Sequence, residues 1–206
     1  MARVPYLTHQ DASTPEVEAV WQRLEAERKM PTANIFRALA HAPALLDAFL
    51  SYANALRDGS ELDPKLRELA ILAVGHAVDS EYEIAHHQSH ARKAGVTADQ
   101  LANVASFDTS TAFDAVERAV MRLARESTVN VHVSDEHWAE VRADLSDKQM
   151  VELALTIAWY NSGVRIMALL DIDLEEGYLT DPPPGAGAGV KPTGSAVSAR
   201  SVEAAR

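Results

Sequence analysis

From Leu66 to Val78 the chain reads LRELAILAVGHAV, apolar around nearly the whole circumference of a helix. A helix with no polar side cannot sit at a surface, so the rest of the fold must be wrapped around this one. Asp63-Pro64 starts it, with an acid able to cap and a proline whose missing N–H would have no intrahelical partner in any case. It must stop near Asp79-Ser80. Ser80-Glu81-Tyr82-Glu83 has the serine-to-glutamate spacing of a capping box, which opens a second helix running to Ala94, and Gly95 ends that one. Residues 63–97 are therefore a pair of helices at the centre of the protein.

The flanking sequence supplies further helices and no clear strand. Thr14-Pro15-Glu16 starts a helix carrying Val17, Val20, Trp21 and Leu24 to about Lys29, where Pro31 stops it. Ile35, Phe36 and Leu39 mark a second. Leu45, Leu46, Phe49, Leu50 and Ala53 mark a third from Pro43, with Gly59 expected as a left-handed terminator. Thr97 to Gln100 is another capping box. Phe113, Val116, Val120 and Leu123 give an amphipathic helix over about 110–125, and the β-branched run Thr128 to Val133 favours extended chain. Ser134 caps a helix holding Trp138 and Val141, and Ser146 to Gln149 opens the last, to about Leu170. The expected fold is all-α, a compact multi-helix bundle. Residues 1–13 form an extended lead-in, 14–180 a single helical domain, and 181–206, rich in Pro, Gly and Ala, a disordered tail. Asp63-Pro-Lys-Leu-Arg-Glu68-Leu-Ala echoes Asp147-Lys-Gln-Met-Val-Glu152-Leu-Ala, which both an internal helical duplication and chance helical register would produce.

Charge and residue usage narrow the function. A net charge of −11 argues against nucleic acid or an anionic membrane as partner. The absence of cysteine removes disulfides, thiolate metal sites and thiol redox cycling. The N-terminus MARVPYLTHQ lacks a signal-peptide core, and Leu153 to Tyr160 is too short to span a bilayer, so a cytoplasmic protein is expected.

The chemistry gathers on the central pair. Glu68 has Ile71 and Leu72 one turn on, so burial should raise its pKa toward that of a general base, unless an arginine or a helix terminus satisfies it. Glu83 and His87 are four residues apart on one face, a carboxylate beside an imidazole, which suits a proton shuttle. Glu83 serves equally as the reciprocal member of the Ser80 capping box. His90 is near the same face, whereas His86 is turned about 100° away. Glu83, His87 and His90 also form an alternative metal set, without a metalloprotein signature. Ser80, at a helix N-terminus, can receive an anion. In the last helix Tyr160, Asn161 and Arg165 interrupt an apolar stretch, with Arg165 able to clamp a substrate acid or pair with a buried glutamate.

Arg67-Glu-Leu-Ala-Ile-Leu, Glu81-Tyr-Glu-Ile-Ala-His-His and Ala94-Gly-Val-Thr resemble the carboxymuconolactone decarboxylase family, within the alkylhydroperoxidase D-like superfamily. Asn34-Ile-Phe-Arg-Ala-Leu-Ala-His, together with Tyr160, Asn161 and Arg165, extends the resemblance over about residues 15–178. It implies an alkylhydroperoxidase D-like bundle that assembles as a homo-trimer or hexamer. In the superfamily's redox branch a glutamate, a Cys-x-x-Cys pair and a histidine act together; those positions fall on Glu68, Ser80, Glu83 and His87. With no thiol at Ser80 or Glu83, a peroxidase activity is unsupported. The decarboxylase branch implies cofactor-free acid–base chemistry on an acidic lactone. The expectation is a lyase-like enzyme for a small carboxylate or lactone, with no cofactor and no metal. His87, oriented by Glu83, moves the proton, and Glu68 is a second acid/base or holds the histidine. Ser80, Tyr160, Asn161 and Arg165 bind substrate. The alternatives are a peroxiredoxin-type activity and a non-catalytic, ligand-binding helical oligomer.

Overall fold

The structure, a computed structural model, describes residues 2–28 and 33–175. The proposed end of the first helix at Lys29 and Pro31, the last residues of the 14–180 domain and the 181–206 tail lie outside the described residues. Within them are nine α-helices and no strand: α1 (Pro15–Glu27), α2 (Asn34–Leu39), α3 (Pro43–Asp58), α4 (Pro64–Ala77), α5 (Glu81–Lys93), α6 (Ala98–Asn103), α7 (Ala115–Asn130), α8 (Asp135–Arg142) and α9 (Asp147–Leu170).

α4 is the hub. Asp63 caps it, accepting from the Lys65 and Leu66 N–H groups at 2.7 and 3.3 Å. Its apolar circumference is used on every side, against α5, α7 and α9. Leu69, Leu72 and Val74 are sealed among Val120, Met121 and Leu153. Each such side chain contributes about 1.5–3 kcal/mol by leaving water. A second, smaller core joins α1 to α3 through Val20, Trp21, Leu24, Leu46 and Leu50. α9 is by length and composition apolar enough to cross a bilayer; its packing against α3, α4, α7 and α8 gives that composition a role in the protein interior.

Three local expectations change. Gly59 ends α3 at φ −106°, not left-handed. The turn is held instead by Glu152, whose carboxylate accepts from Ser60 Oγ (3.0 Å), Glu61 N (2.9 Å) and Leu62 N (2.9 Å). The two glutamates of the repeated octets thus have different work: Glu152 fastens this loop, whereas Glu68 faces α5. α7 starts later than expected, at the capping box of Asp114 and Glu117. It also continues through Asn130, over residues expected to be extended. Thr128 is buried, donates to the Ala124 carbonyl at 2.7 Å and accepts from Asn161 at 2.9 Å, so packing overrides its β preference. Val131 then leaves the helix with φ 65°.

Candidate functional site

The α4–α5 turn builds the site. Asp79 takes φ 52°, a left-handed conformation that aspartate tolerates better than most residues. Ser80 Oγ accepts from the Glu83 N–H at 3.4 Å, but the Ser80 N–H donates to the Gly75 carbonyl at 2.9 Å. The expected capping box is therefore half made: its reciprocal donor is already used, and the Glu83 carboxylate is released for other work. Gly75 makes this approach feasible. A Cβ there would stand 3.1 Å from Ile84 Cγ1 and 3.5 Å from Glu83 Cβ, so a larger residue would require the first turn of α5 to give way.

Released from capping, Glu83 joins His87 and Glu68 in one buried group. His87 Nδ1–H donates to Glu68 Oε2 at 2.7 Å, and His87 Nε2 lies 3.0 Å from Glu83 Oε1. The three residues are only 6–7% exposed. Burial alone pulls the His87 pKa down, but Tyr160, Glu68 and Glu83 around it more than reverse this, and imidazolium is held well above the ordinary histidine range. For Glu68 burial pulls upward, and the hydrogen bond and charge of His87 win. Its pKa is lowered, not raised as its sequence neighbours suggest. The group is thus a carboxylate–imidazolium–carboxylate triad. The Tyr160 and His87 rings meet edge to face, with centroids 4.9 Å apart at 88°, and burial raises the Tyr160 phenol pKa.

The triad opens on one side. Glu83, His87 and Tyr160 line a cavity of about 460 Å³ walled by α1, α2, α3, α5 and α9, while Glu68 stands behind the histidine and does not line it. Ser80 reaches the triad only at the Glu83 backbone N–H, and Arg165 does not meet it. They line a different cavity, beside Asp171 to Leu174. Asn161 is turned toward α7, donating to Thr128 Oγ1 and to the Ile157 carbonyl, and Arg165 binds Asn161 Oδ1 and its carbonyl. Among the described residues Arg165 therefore pairs with no glutamate, and it lines a cavity other than the one at His87. Helical spacing showed these polar residues but not which neighbouring helix they would face. The alternative metal set lies close together, with the His87 and His90 ring centroids 5.5 Å apart, but is not arranged as a metal site. Both His87 nitrogens are engaged by carboxylates, and among the described residues no cluster of His, Asp and Glu is arranged to hold a metal ion.

Sequence reasoning missed a second polar group at the same cavity. Glu175 accepts from the Asn34 N–H at 2.5 Å and the Tyr82 hydroxyl at 2.7 Å, and pairs with His86 Nε2 at 2.6 Å. Tyr82 and His86, stacked with centroids 4.3 Å apart, line the cavity. Their i,i+4 spacing was visible; the strand of chain carrying Glu175 was not. Burial would raise the Glu175 pKa, but the bonds from His86, Asn34 and Tyr82 hold it at about 2. A depressed carboxylate stabilises the fold above its unfolded value near 4.5 and loses that contribution as pH falls toward about 2. Glu175→Gln is therefore expected to lose about 1.5–3 kcal/mol at neutral pH, with the gap to wild type narrowing below pH ~4.5. Urea midpoints at neutral and acid pH check this, and a gap independent of pH would count against it.

Comparison with known proteins places the fold. The debrominase Bmp8 in complex with 2,3,4-tribromopyrrole superposes with TM-score 0.73 at 22% identity, covering 85% of this chain and 93% of that one. An uncharacterized peroxidase-related protein from Ralstonia eutropha JMP134, described as an alkylhydroperoxidase AhpD core, gives TM-score 0.71 at 18% identity over 86% and 94%. A peroxidase-related protein from Silicibacter sp. TM1040 gives 0.71 at 17% over 87% and 95%. No match is found among proteins of curated function. Residues 43–126, from the start of α3 into α7 with Glu68, Glu83 and His87 inside, match the model of the Carboxymuconolactone decarboxylase family. Over that segment the chain is similar to the carboxymuconolactone decarboxylase family, and its fold is similar to that of the alkylhydroperoxidase AhpD core.

Proposed function

We propose that the chain is a cofactor-independent acid–base enzyme, lyase-like, acting on a small carboxylated or lactone molecule in the cytoplasm. One observation carries this reading: a buried carboxylate–imidazolium–carboxylate triad presents one of its two carboxylates, Glu83, to a cavity. Because both His87 nitrogens are taken, the histidine reaches substrate through Glu83. His87 stores the proton, Glu83 delivers or collects it at the substrate carbon, and Glu68 holds the ring from behind. The Tyr160 hydroxyl, kept protonated by burial, is a hydrogen-bond donor for an enolate or carboxylate oxygen as charge develops. Ser80 and Arg165, lining the other cavity, are not part of this proposal. Self-association as a trimer or hexamer is proposed alongside, supported by Val151 and Leu155, exposed one turn apart on α9.

The peroxidase alternative finds no support in a sequence without cysteine, because no disulfide can form and be reduced. Carboxylated unsaturated lactones, 4-carboxymuconolactone first, are the substrates to test, following CO₂ release and deuterium uptake from D₂O by NMR. Turnover by wild type that is lost in His87→Asn supports the proposal. Wild type no faster than that variant on every lactone acid tried, or consumption of hydroperoxide in their place, would sink it. Stoichiometric metal in the purified active protein would overturn the cofactor-free part.

A further inference from the structure

The far end of the same cavity is lined by cations with little to bind. Arg28, just past the end of α1, donates from one terminal nitrogen to Asn54 Oδ1 at 2.6 Å, but its Nε is buried with no hydrogen-bond partner among the described residues. A buried guanidinium N–H left unmade is costly, so its persistence calls for a partner that arrives from outside. Arg57 of α3 and Lys93 of α5 line the cavity too. Neither has an ion-pair or hydrogen-bond partner among the described residues, whereas Arg23, Arg122, Arg125, Arg142, Lys65 and Lys148 each engage a carboxylate. Acids are not scarce, with 30 Asp and Glu against 19 Lys and Arg. Glu27 also lines this end, yet its oxygens are committed to Arg23 at 2.8 Å and Asn54 at 2.6 Å.

Part of the cavity wall is apolar and roomy. Phe49, Trp159 and Gly163 line it. Gly163 is buried in mid-helix, where glycine is less favourable than alanine, and a Cβ there would meet nothing within 4 Å. The glycine thus keeps open space that a side chain would fill. Lys93 is six residues beyond His87, about 9 Å along the helix axis at 1.5 Å per residue.

We infer that Arg28, Arg57 and Lys93 form an anion-holding subsite, and that the ligand is an elongated aryl or unsaturated carboxylate. Its acid lies at the cation end, its flat apolar body beside Phe49, Trp159 and Gly163, and its reacting atoms at Glu83 and Tyr160. The inference rests on the cavity being the substrate site proposed above. His90 also lines the cavity; partial burial and the charge on His87 pull it down to about 4, so it is neutral at pH 7 and leaves the cationic end to the other three.

Calorimetric titration with trans-cinnamate and with its uncharged isostere trans-cinnamamide tests this at low salt and neutral pH. Wild type is expected to bind the acid about tenfold or more tightly than the amide, the value of one charge-assisted contact. The Arg57→Gln/Lys93→Gln double variant, altered only at exposed positions, should lose that advantage without changing amide binding or its thermal melt. Gly163→Val should weaken both ligands by filling the floor. Equal binding of acid and amide to wild type, acid binding that ignores the double variant, or no cinnamate binding at all would overturn the subsite. If the double variant weakens cinnamate yet no lactone acid is turned over, the subsite stands and the acid–base reading falls. Turnover with cinnamate binding indifferent to Arg57 and Lys93 is the reverse case.

Discussion

Glu83→Gln is expected to lower turnover by about 10²–10⁴-fold, the usual cost of removing a general acid or base, with the helical fold retained. Glutamine keeps the size of the side chain and can still receive the His87 N–H, but it cannot carry a proton to substrate. Glu68→Gln should cost less, because Glu68 stands behind His87 and does not line the cavity. Its effect should instead fall on the pH profile. With one of the carboxylates that raise the His87 pKa gone, the alkaline limb of kcat/KM should move to lower pH. Circular dichroism and full pH–rate profiles for both variants are the measurements. Near-wild-type turnover by Glu83→Gln would remove Glu83 from the chemistry and return the reaction to His87 or to another part of the cavity.

Glu68→Ala should have the largest effect on stability, about 3–5 kcal/mol, as is usual when one partner of a buried charge pair is removed. The imidazolium would remain enclosed with Glu83 alone. The sign of the pH dependence follows from both partners. The raised His87 pKa contributes stability fully present below 6.5 and lost as pH climbs through the folded value. The lowered Glu68 pKa contributes stability present above 4.5 and lost as pH falls through the folded value. The gap between wild type and variant should therefore be widest between those two pH values and shrink on either side. Urea unfolding at three pH values, with the slope m compared, would show it. A gap that is flat with pH would mean that the destabilisation comes from the cavity left by the side chain, not from the lost charge.

Much of the fold could be read from the chain because its signals are local. The caps at Asp63, Thr97, Ser134 and Ser146 and the all-round apolarity of α4 depend on residues within a turn or two. Where the outcome depended on a distant partner, local reasoning went astray. Gly59 lost its expected role to Glu152, and Thr128 was drawn into α7 by Asn161 and the core. At the site, spacing put Glu83 and His87 on one face, but only the fold brings Glu68 to the opposite nitrogen of the ring, which reverses the direction of its pKa. Arg57, beside Asp58 and Gly59 at the end of α3, looks like any solvated helix end; only the cavity distinguishes it. Arg165, in a more suggestive sequence setting, turns out to face Asn161 and Thr128.

The separation along the chain between the parts of the site has a consequence for how it assembles. Glu68 and His87 are 19 residues apart, Glu83 and His87 only four, all within one helical hairpin closed by a tight turn. The cavity, by contrast, needs α1 and α9, more than a hundred residues apart at their nearest ends. Loop-closure entropy grows with the length of chain enclosed, so the hairpin can form at small entropic cost before the walls meet. Partial denaturation that frees α1 to α3 should then abolish ligand binding while the charge relay itself is still in place.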